Sequence, residues 1–372
     1  MALVISIIVL LILATVSINL VINNGILDKA KTAVDKYLEG EIEEQIKLAF
    51  LEYEQARLTK TNIDIEDYME ENLEKVLNEP ISVEKVGKDI KITFTNRDKI
   101  YKYYSNGIVK ELMKVSKNLY GRLDKTTNTL YLRATAKDNY DIFNKWSVYY
   151  YIIEKQWDKT KIEKIIIEEP IAPSTTYSMF SNLSSLTTIE GIDNLHTENS
   201  DSMYAMFMGC SLLNNINISN FDTSNVKTMH QMFQGCNSLK NITIGKIDTG
   251  NVAKMSSMFT NCKELTSLDV SSFDTSNVIS INSMFSGCNK LTEIDLSNFD
   301  TSSLTDMNYL CNKTISKLNL SGKFKINQNT SYLSMFGWVG SSENLSIKIK
   351  CNSDDKAKIM TAYPNLTENN FE

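Results

Sequence analysis

Residues 206–230 read MFMGCSLLNNINISNFDTSNVKTMH, and the same pattern returns three more times. The later copies are MFQGCNSLKNITIGKIDTGNVAKMS (232–256), MFTNCKELTSLDVSSFDTSNVISIN (258–282) and MFSGCNKLTEIDLSNFDTSSLTDMN (284–308), so the period is 26 residues. A fixed period of about 20–50 residues is the signature of stacked structural repeats. Weaker copies begin at Met179-Phe180 and Met335-Phe336, which extends the predicted array to residues 177–350.

Each copy contains the pattern L-x-x-[ILV]-x-[ILV], as in Leu213, Ile216 and Ile218. The last two apolar positions flank a polar one, which is typical of a short strand with one buried and one solvent-facing side. A single strand cannot bury that side alone, whereas stacked copies form a parallel ladder over a continuous core. The spacing matches the strand segment of leucine-rich repeats. We therefore predict an α+β chain in which a leucine-rich-repeat solenoid with a parallel β ladder follows an N-terminal helical part.

Two further parts of the repeat require their own interpretation. The run V-x-x-M-x-x-M-F has helical spacing and predicts a short buried helical turn. The preceding D-T-[SG]-[NS] is a turn sequence that also offers helix N-cap residues. Stacking would bring its aspartates close together, so they either cap their own turns or hold calcium. These aspartates are Asp222, Asp248, Asp274 and Asp300.

Cysteine and histidine usage argues against metal sites and nucleophilic catalysis. Four of the six cysteines share the 26-residue period, and none forms a C-x-x-C pair, so we predict buried reduced thiols rather than zinc ligands or disulfides. Only two histidines are present, His196 and His230. No phosphate-binding loop, nucleophile elbow or H-E-x-x-H sequence occurs. The sequence predicts no enzyme, no cofactor and no metal.

The long repeat M-F-x-x-C-x-x-L-x-x-[LI]-x-[LIV]-S-x-F-D-T-S-N-V-x-x-M resembles the BspA-like leucine-rich-repeat family of bacterial surface proteins, over residues 145–350. The resemblance implies a cell-surface protein. It also implies adhesion to host proteins or to other cells, without catalytic activity.

The N-terminal segment predicts a membrane anchor. Residues 2–22 carry no charge, and a helix of this length spans about 30 Å, the thickness of a bilayer core. We therefore expect a transmembrane helix over residues 1–24 and a single-pass cell-membrane protein with its C-terminal bulk outside the cell. Lys29, Lys31 and Lys36 follow the span with nothing basic before it, which by itself favours the opposite orientation. A start upstream of Met1, with a basic leader, would resolve this conflict.

Residues 1–60 also resemble the N-terminal helix of type IV pilins and pseudopilins, in which an apolar helix continues into an amphipathic one. That resemblance implies pilin-type subunits as partners. Behind it, residues 25–112 predict a helical stalk with a small antiparallel sheet. Residues 113–176 predict a bridge whose Trp146, Trp157 and neighbouring tyrosines either cap the array or bind a ligand. Residues 351–372 predict a C-terminal cap.

The solvent-facing strand positions of the array are the candidate binding site, because the strands of a stacked-repeat protein form an extended concave surface. The alternative is that these strand positions only face water and bind no ligand. The net charge of −6 gives no support for nucleic-acid binding. We expect a membrane-anchored, adhesin-like surface protein that binds an extracellular protein or glycan, a minor pilin or pseudopilin subunit, or an intracellular membrane-attached scaffold. The ten candidate residues are Asn215, Asn217, Asn241, Thr243, Ser267, Asp269, Glu293, Asp295, Lys317 and Asn319.

Overall fold

A computed structural model provides the fold. It describes residues 24–372 apart from 60–62, 87–88, 96–98, 104–106, 108, 113–117, 138–140, 144–147, 149–155, 312–313, 333 and 337–346. The chain divides into two compact units, Met1–Leu112 and Met113–Glu372. Each unit has its own hydrophobic cluster, so the two are described separately.

The first unit combines two helices with an antiparallel sheet. Helix α1 spans Asn24–Thr59 and α2 spans Ile65–Leu77, where the Asp64 carboxylate accepts the backbone N–H groups of Glu66 and Asp67 at 2.8 and 3.2 Å. The sheet runs in the order β1 (Ile81–Val86), β2 (Asp89–Phe94), β3 (Lys99–Tyr103) and β4 (Val109–Leu112), with every pair antiparallel. The alternation in this part of the sequence predicts such a meander. Its turn at Asn106-Gly107 involves residues outside the described part.

Helix α2 protects the outer edge of this sheet. Three glutamates at four-residue intervals lie on one helix face, and they accept the outward N–H groups of alternate residues of β1. Glu74 binds Ile81 at 2.9 Å, Glu70 binds Val83 at 3.4 Å and Glu66 binds Lys85 at 2.6 Å. An open edge strand is a template for unwanted pairing, so these carboxylates replace the missing neighbouring strand.

The predicted membrane anchor is not supported. Among the residues that the structure describes, no helix is both long and apolar enough to cross a bilayer. This finding contradicts the prediction of a single-pass membrane protein with its bulk outside the cell. It also contradicts the pilin-like helix, because α1 carries charged residues along its length and joins no apolar helix in the described part. The predicted span itself, residues 2–22, lies outside the described residues.

The second unit begins with a five-stranded sheet that covers the first end of the repeats. Strand β5 (Leu119–Asp124) pairs antiparallel with β6 (Thr129–Arg133) and with β7 (Asp141–Phe143). Strand β8 (Lys164–Ile167) pairs parallel with β6, and β9 (Thr188–Glu190) pairs parallel with β8. Four of these five strands, β5 to β8, lie within residues 113–176, the predicted bridge. At the far end, helix α3 (Ser353–Ala362) closes the stack, and Tyr363 Oη accepts the Phe336 N–H at 3.2 Å.

The repeats between these ends stack as coils, but the continuous solenoid ladder predicted for them is wrong. The structure has instead several small sheets: β10 (Asn215–Asn217) with β11 (Asn241–Thr243), and β12 (Glu293–Asp295) with β13 (Lys317–Leu320) and β14 (Lys348–Cys351). Residues 265–270, which we predict to be a strand, form none. In a continuous ladder Asp269 would lie beside Asp295, and like charges in directly opposite positions destabilise strand pairing.

The predicted helical turn at the M-F corner is also wrong. The residue before each repeat methionine adopts a left-handed backbone conformation, as in Ala205, Gln231 and Ser257 with φ of 51°, 60° and 58°. This conformation breaks an α-helix. It turns alternate N–H groups toward the next coil instead, so that Phe233 N–H donates to Met258 at 2.9 Å. The phenylalanines then stack, with ring centroids 5.3 Å apart for Phe207 and Phe233.

Side chains of the D-T-S-N turn join each coil to both of its neighbours. The buried Thr249 hydroxyl donates to the carbonyl of Asp274 in the next coil at 2.9 Å, while Asn251 Nδ2 donates to Ser224 in the previous coil at 2.6 Å. Thr223 and Thr275 repeat the forward bond. The buried cysteines act similarly, since Cys236 Sγ donates to the Phe207 carbonyl at 3.1 Å. Five of the six cysteines are buried and Cys351 is half-buried.

Candidate ligand-binding surface

The polar positions of the repeat strands form a surface that we call the strand face, defined by the ten candidate residues. The parallel register places Asn215 beside Asn241 and Asn217 beside Thr243. Farther along, Glu293 lies beside Lys317 and Asp295 beside Asn319. Ser267 and Asp269 are exposed between these two groups but belong to no strand. Nine of the ten side chains are exposed, and Asn319 is half-buried.

The second polar position of the strand closes a turn. Its side-chain oxygen accepts the backbone N–H two residues ahead, a local arrangement that Asn and Asp both favour. This bond measures 3.0 Å for Asn217 to Ser219, 2.9 Å for Asp269 to Ser271 and 2.8 Å for Asp295 to Ser297. One oxygen is thus committed to the fold. The rest of the amide or carboxylate remains for contacts between coils or with a ligand.

Side chains of neighbouring coils bind one another across the strand face. Asn241 Nδ2 donates to Asn215 Oδ1 at 2.8 Å, Lys317 Nζ lies 2.7 Å from Glu293 Oε1, and Asn319 Nδ2 donates to Asp295 Oδ2 at 3.0 Å. The hydrogen bond and charge of Glu293 raise the pKa of Lys317. Hydrogen bonding from Ser271 lowers the pKa of Asp269. Partial burial raises the pKa of Asp295, but bonds from Ser297 and Asn319 and the charge of Lys350 outweigh this and lower it.

Three depressions lie along the strand face. The N-terminal cleft, between β9 and β10, has a volume of about 360 Å³ and is lined by Asn215, Asn217, Asn241 and Thr243. The middle cleft, of about 760 Å³, lies between Thr243 and Asp269. The C-terminal groove, of about 430 Å³, is lined by Ser267, Glu293, Asp295, Lys317 and Asn319 among others. Every one of the ten candidate residues therefore lines a depression.

Three residues that the sequence interpretation missed extend the strand face at both ends. Thr188 of β9 lines the N-terminal cleft. Lys348 and Lys350 of β14 line the C-terminal groove and lie beside Lys317 and Asn319 in register. The alternation in SIKIKC predicts β14 and could have identified both lysines. The face thus changes from neutral at β10 and β11, through acidic at Asp269 to Asp295, to basic at β13 and β14.

The structure offers no support for a metal at the D-T-S-N aspartates. Asp248 Oδ1 accepts the Gly250 N–H at 2.9 Å, and Asp274 Oδ1 accepts the N–H and hydroxyl of Ser276 at 3.1 and 2.7 Å. Each carboxylate thus caps its own turn. Within the described part of the chain, no group of three or more His, Cys, Asp or Glu side chains could hold a metal ion.

Comparison with known proteins gives one family. The model of DUF285, described as a Mycoplasma protein of unknown function, matches residues 174–267 and 240–348. These two stretches include all ten residues of the strand face. Neither the curated proteins nor the solved structures contain a match.

Proposed function

We propose that this chain is a non-catalytic binding protein that uses the strand face of its repeat stack to bind a protein or a glycan. The observation that carries this proposal is the alignment of the ten polar side chains along three depressions on one surface. Binding sites are typically concave and present a few convergent polar groups. The resemblance of residues 145–350 to BspA-like repeats, whose members take part in adhesion, supports the same conclusion.

The chemistry of the strand positions also supports binding rather than a purely structural role. The turn bond needs only a side-chain oxygen, which Asn and Asp provide equally well. Asn217, Asp269, Asp295 and Asn319 make this bond in their coils, whereas Thr243 occupies the position in the coil between Asn217 and Asp269. The fold therefore permits the charge of the face to change without loss of the turn. A graded charge pattern suits selective recognition, because charge complementarity determines which partners associate.

The test neutralises the acidic middle of the face while it preserves every turn. The variant Asp269→Asn, Glu293→Gln, Asp295→Asn keeps the side-chain oxygens that accept the Ser271 and Ser297 N–H groups. The full chain is applied to a glycan array and to immobilised basic, neutral and acidic proteins. We expect the wild type to bind at least one protein or glycan. The affinity of the variant for a basic protein or glycan should fall at least about tenfold, equivalent to about 1.4 kcal/mol of binding free energy.

A charge-matched control removes three exposed carboxylates elsewhere on the second unit, through Asp193→Asn, Asp201→Asn and Asp354→Asn. This control should bind as the wild type does. Equal binding by the wild type and the strand-face variant would refute the assignment of the acidic site. Failure of the wild type to bind any array member would count against a binding function.

A further inference from the structure

The N-terminal cleft differs chemically from the rest of the strand face. Its lining consists of Thr187, Thr188, Ile189, Ile192, Leu213, Asn215, Ile216, Asn217, Asn241 and Thr243, with no charged side chain. The nearby Glu190 on β9 is ion-paired with Lys164. The C-terminal groove, in contrast, is lined by Glu293, Asp295, Lys317, Lys348 and Lys350 among others. A charged ligand would lose its hydration in this uncharged cleft without gaining a counter-charge.

The hydrogen bonds inside the cleft fix which polar atoms face a ligand. Asn217 Oδ1 accepts the Ser219 N–H at 3.0 Å, so its Nδ2 remains a donor. Asn241 Nδ2 donates to Asn215 Oδ1 at 2.8 Å, which leaves Asn215 Nδ2 as a donor and Asn241 Oδ1 as an acceptor. The hydroxyls of Thr188 and Thr243 can do both. The cleft thus presents donors and acceptors together, without charge.

The remaining lining is aliphatic. Ile189 and Ile192 are half-buried at the cleft, and Ile216 is buried below the two asparagines. A pyranose ring has the complementary composition, since its hydroxyl groups both donate and accept while its C–H faces are apolar. The volume of about 360 Å³ lies within the range of small-ligand sites, about 300–1,000 Å³.

We infer that the N-terminal cleft is a subsite for a neutral glycan, bound through the amide groups of Asn215, Asn217 and Asn241 and the hydroxyls of Thr188 and Thr243. This inference rests on the proposed binding function and specifies the ligand class of one part of the strand face. An uncharged sugar is favoured over an acidic one, because a carboxylate or sulfate would lose its hydration without gaining a cation. It is favoured over a protein because the cleft lacks aromatic and arginine side chains, which are enriched among the residues that dominate protein–protein binding.

The experiment measures binding of the full chain to defined oligosaccharides by saturation-transfer difference NMR and isothermal titration calorimetry. Neutral probes are maltohexaose, cellohexaose, mannohexaose and chitohexaose, and acidic probes are sialyllactose and a heparin hexasaccharide. The decisive variant is Asn217→Asp, which keeps the oxygen that Ser219 needs, as Asp269 and Asp295 do in the same position. It replaces the outward donor with a charged acceptor. We expect a neutral probe to bind and Asn217→Asp to weaken it at least about tenfold.

Two further variants separate this inference from the proposed function. Thr243→Val removes a hydroxyl without adding charge, and should weaken the neutral probe severalfold even if Asn217→Asp fails to fold. The variant Asp269→Asn, Glu293→Gln, Asp295→Asn should leave the neutral probe unaffected. Absence of binding by every neutral probe, tighter binding of the acidic probes, a protein that competes at the cleft in place of a sugar, or equal affinity in wild type and Thr243→Val would overturn the glycan subsite. None of these results affects protein binding at the acidic middle of the face.

Discussion

The forward bond of the D-T-S-N threonine allows a quantitative test of what holds the coils together. Thr249 is fully buried, and its hydroxyl donates to the Asp274 carbonyl at 2.9 Å. Thr249→Val retains the side-chain shape but removes the donor. Removal of one partner of a buried hydrogen bond costs about 1–3 kcal/mol. The additional buried methyl group returns about 0.8 kcal/mol. The two contributions leave a fall of about 0.2–2.2 kcal/mol in the free energy of unfolding, and we expect a value near the middle, about 1 kcal/mol.

Thr305→Val is the matched control. Thr305 is exposed, and its hydroxyl also donates to a carbonyl of an adjacent coil, that of Ile279, at 2.9 Å. The Thr305 backbone N–H binds the same carbonyl at 2.9 Å, so Ile279 keeps a partner in the variant. An exposed substitution of this kind changes stability by about 0.5 kcal/mol or less. The difference between the two variants isolates the buried bond.

Urea unfolding followed by tryptophan fluorescence is the appropriate assay. All three tryptophans, Trp146, Trp157 and Trp338, belong to the second unit, so the signal reports the repeat stack without the first unit. Thr249→Val should lower the midpoint at an unchanged slope, since the surface exposed on unfolding is the same. If Thr249→Val destabilises the stack no more than Thr305→Val does, the turn threonines do not join the coils in the way we describe.

Three other perturbations test separate features of the fold. Burial raises the pKa of Cys210, Cys288 and Cys311 to about 12. The native thiols therefore keep protons that unfolded thiols lose above about pH 8.5, so the free energy of unfolding should fall between about pH 9 and 12, by up to about 1.4 kcal/mol per pH unit and thiol. Urea titrations of Cys288→Ala over this pH range should show a smaller fall. Gly235→Ala should cost about 1–2 kcal/mol for its φ of +77°. Gly245→Ala should cost more, because its φ is +70° and its Cβ would also lie 2.9 Å from the backbone Cα of Ser219. Equal melting temperatures for the two variants would contradict this clash. Glu74→Ala should accelerate hydrogen exchange of the Ile81 amide, which the Glu74 carboxylate binds at 2.9 Å, whereas Glu71→Ala, at an exposed position on the same helix, should leave it unchanged.

Local signals in the sequence predict much of the fold because they arise from neighbouring residues. Asp64 caps α2 because its side chain reaches N–H groups two and three residues away. The alternation in residues 81–103 specifies three strands of the first sheet in the same manner. The 26-residue period correctly identifies which side chains are buried, including the cysteines.

The wrong structural predictions arise where one spacing of apolar residues is compatible with two backbone conformations. Val226, Met229 and Met232 are three residues apart, which suits a helix but also a chain of tight turns. The residue that decides between them, Gln231 at φ 60°, is not a glycine and gives no signal. The break at residues 265–270 depends on the neighbours of Asp269 in other coils, which a single repeat does not reveal. Thr188 was missed because its coil departs from the repeat.

At the second polar position of the strand, the two terminal atoms of the Asn or Asp side chain have separate roles. This separation explains how one coil structure can carry a surface of variable charge. The oxygen that binds the N–H two residues ahead is present in both Asn and Asp, so either residue preserves the turn. The second atom of the group, an amide nitrogen in Asn217 and a carboxylate oxygen in Asp269, does not contribute to that bond. A change from Asn to Asp therefore alters the charge that the surface presents while the backbone remains the same. Asp295 in the C-terminal groove and Asn217 in the N-terminal cleft illustrate such an exchange, since both make the same turn bond but only Asp295 carries a charge.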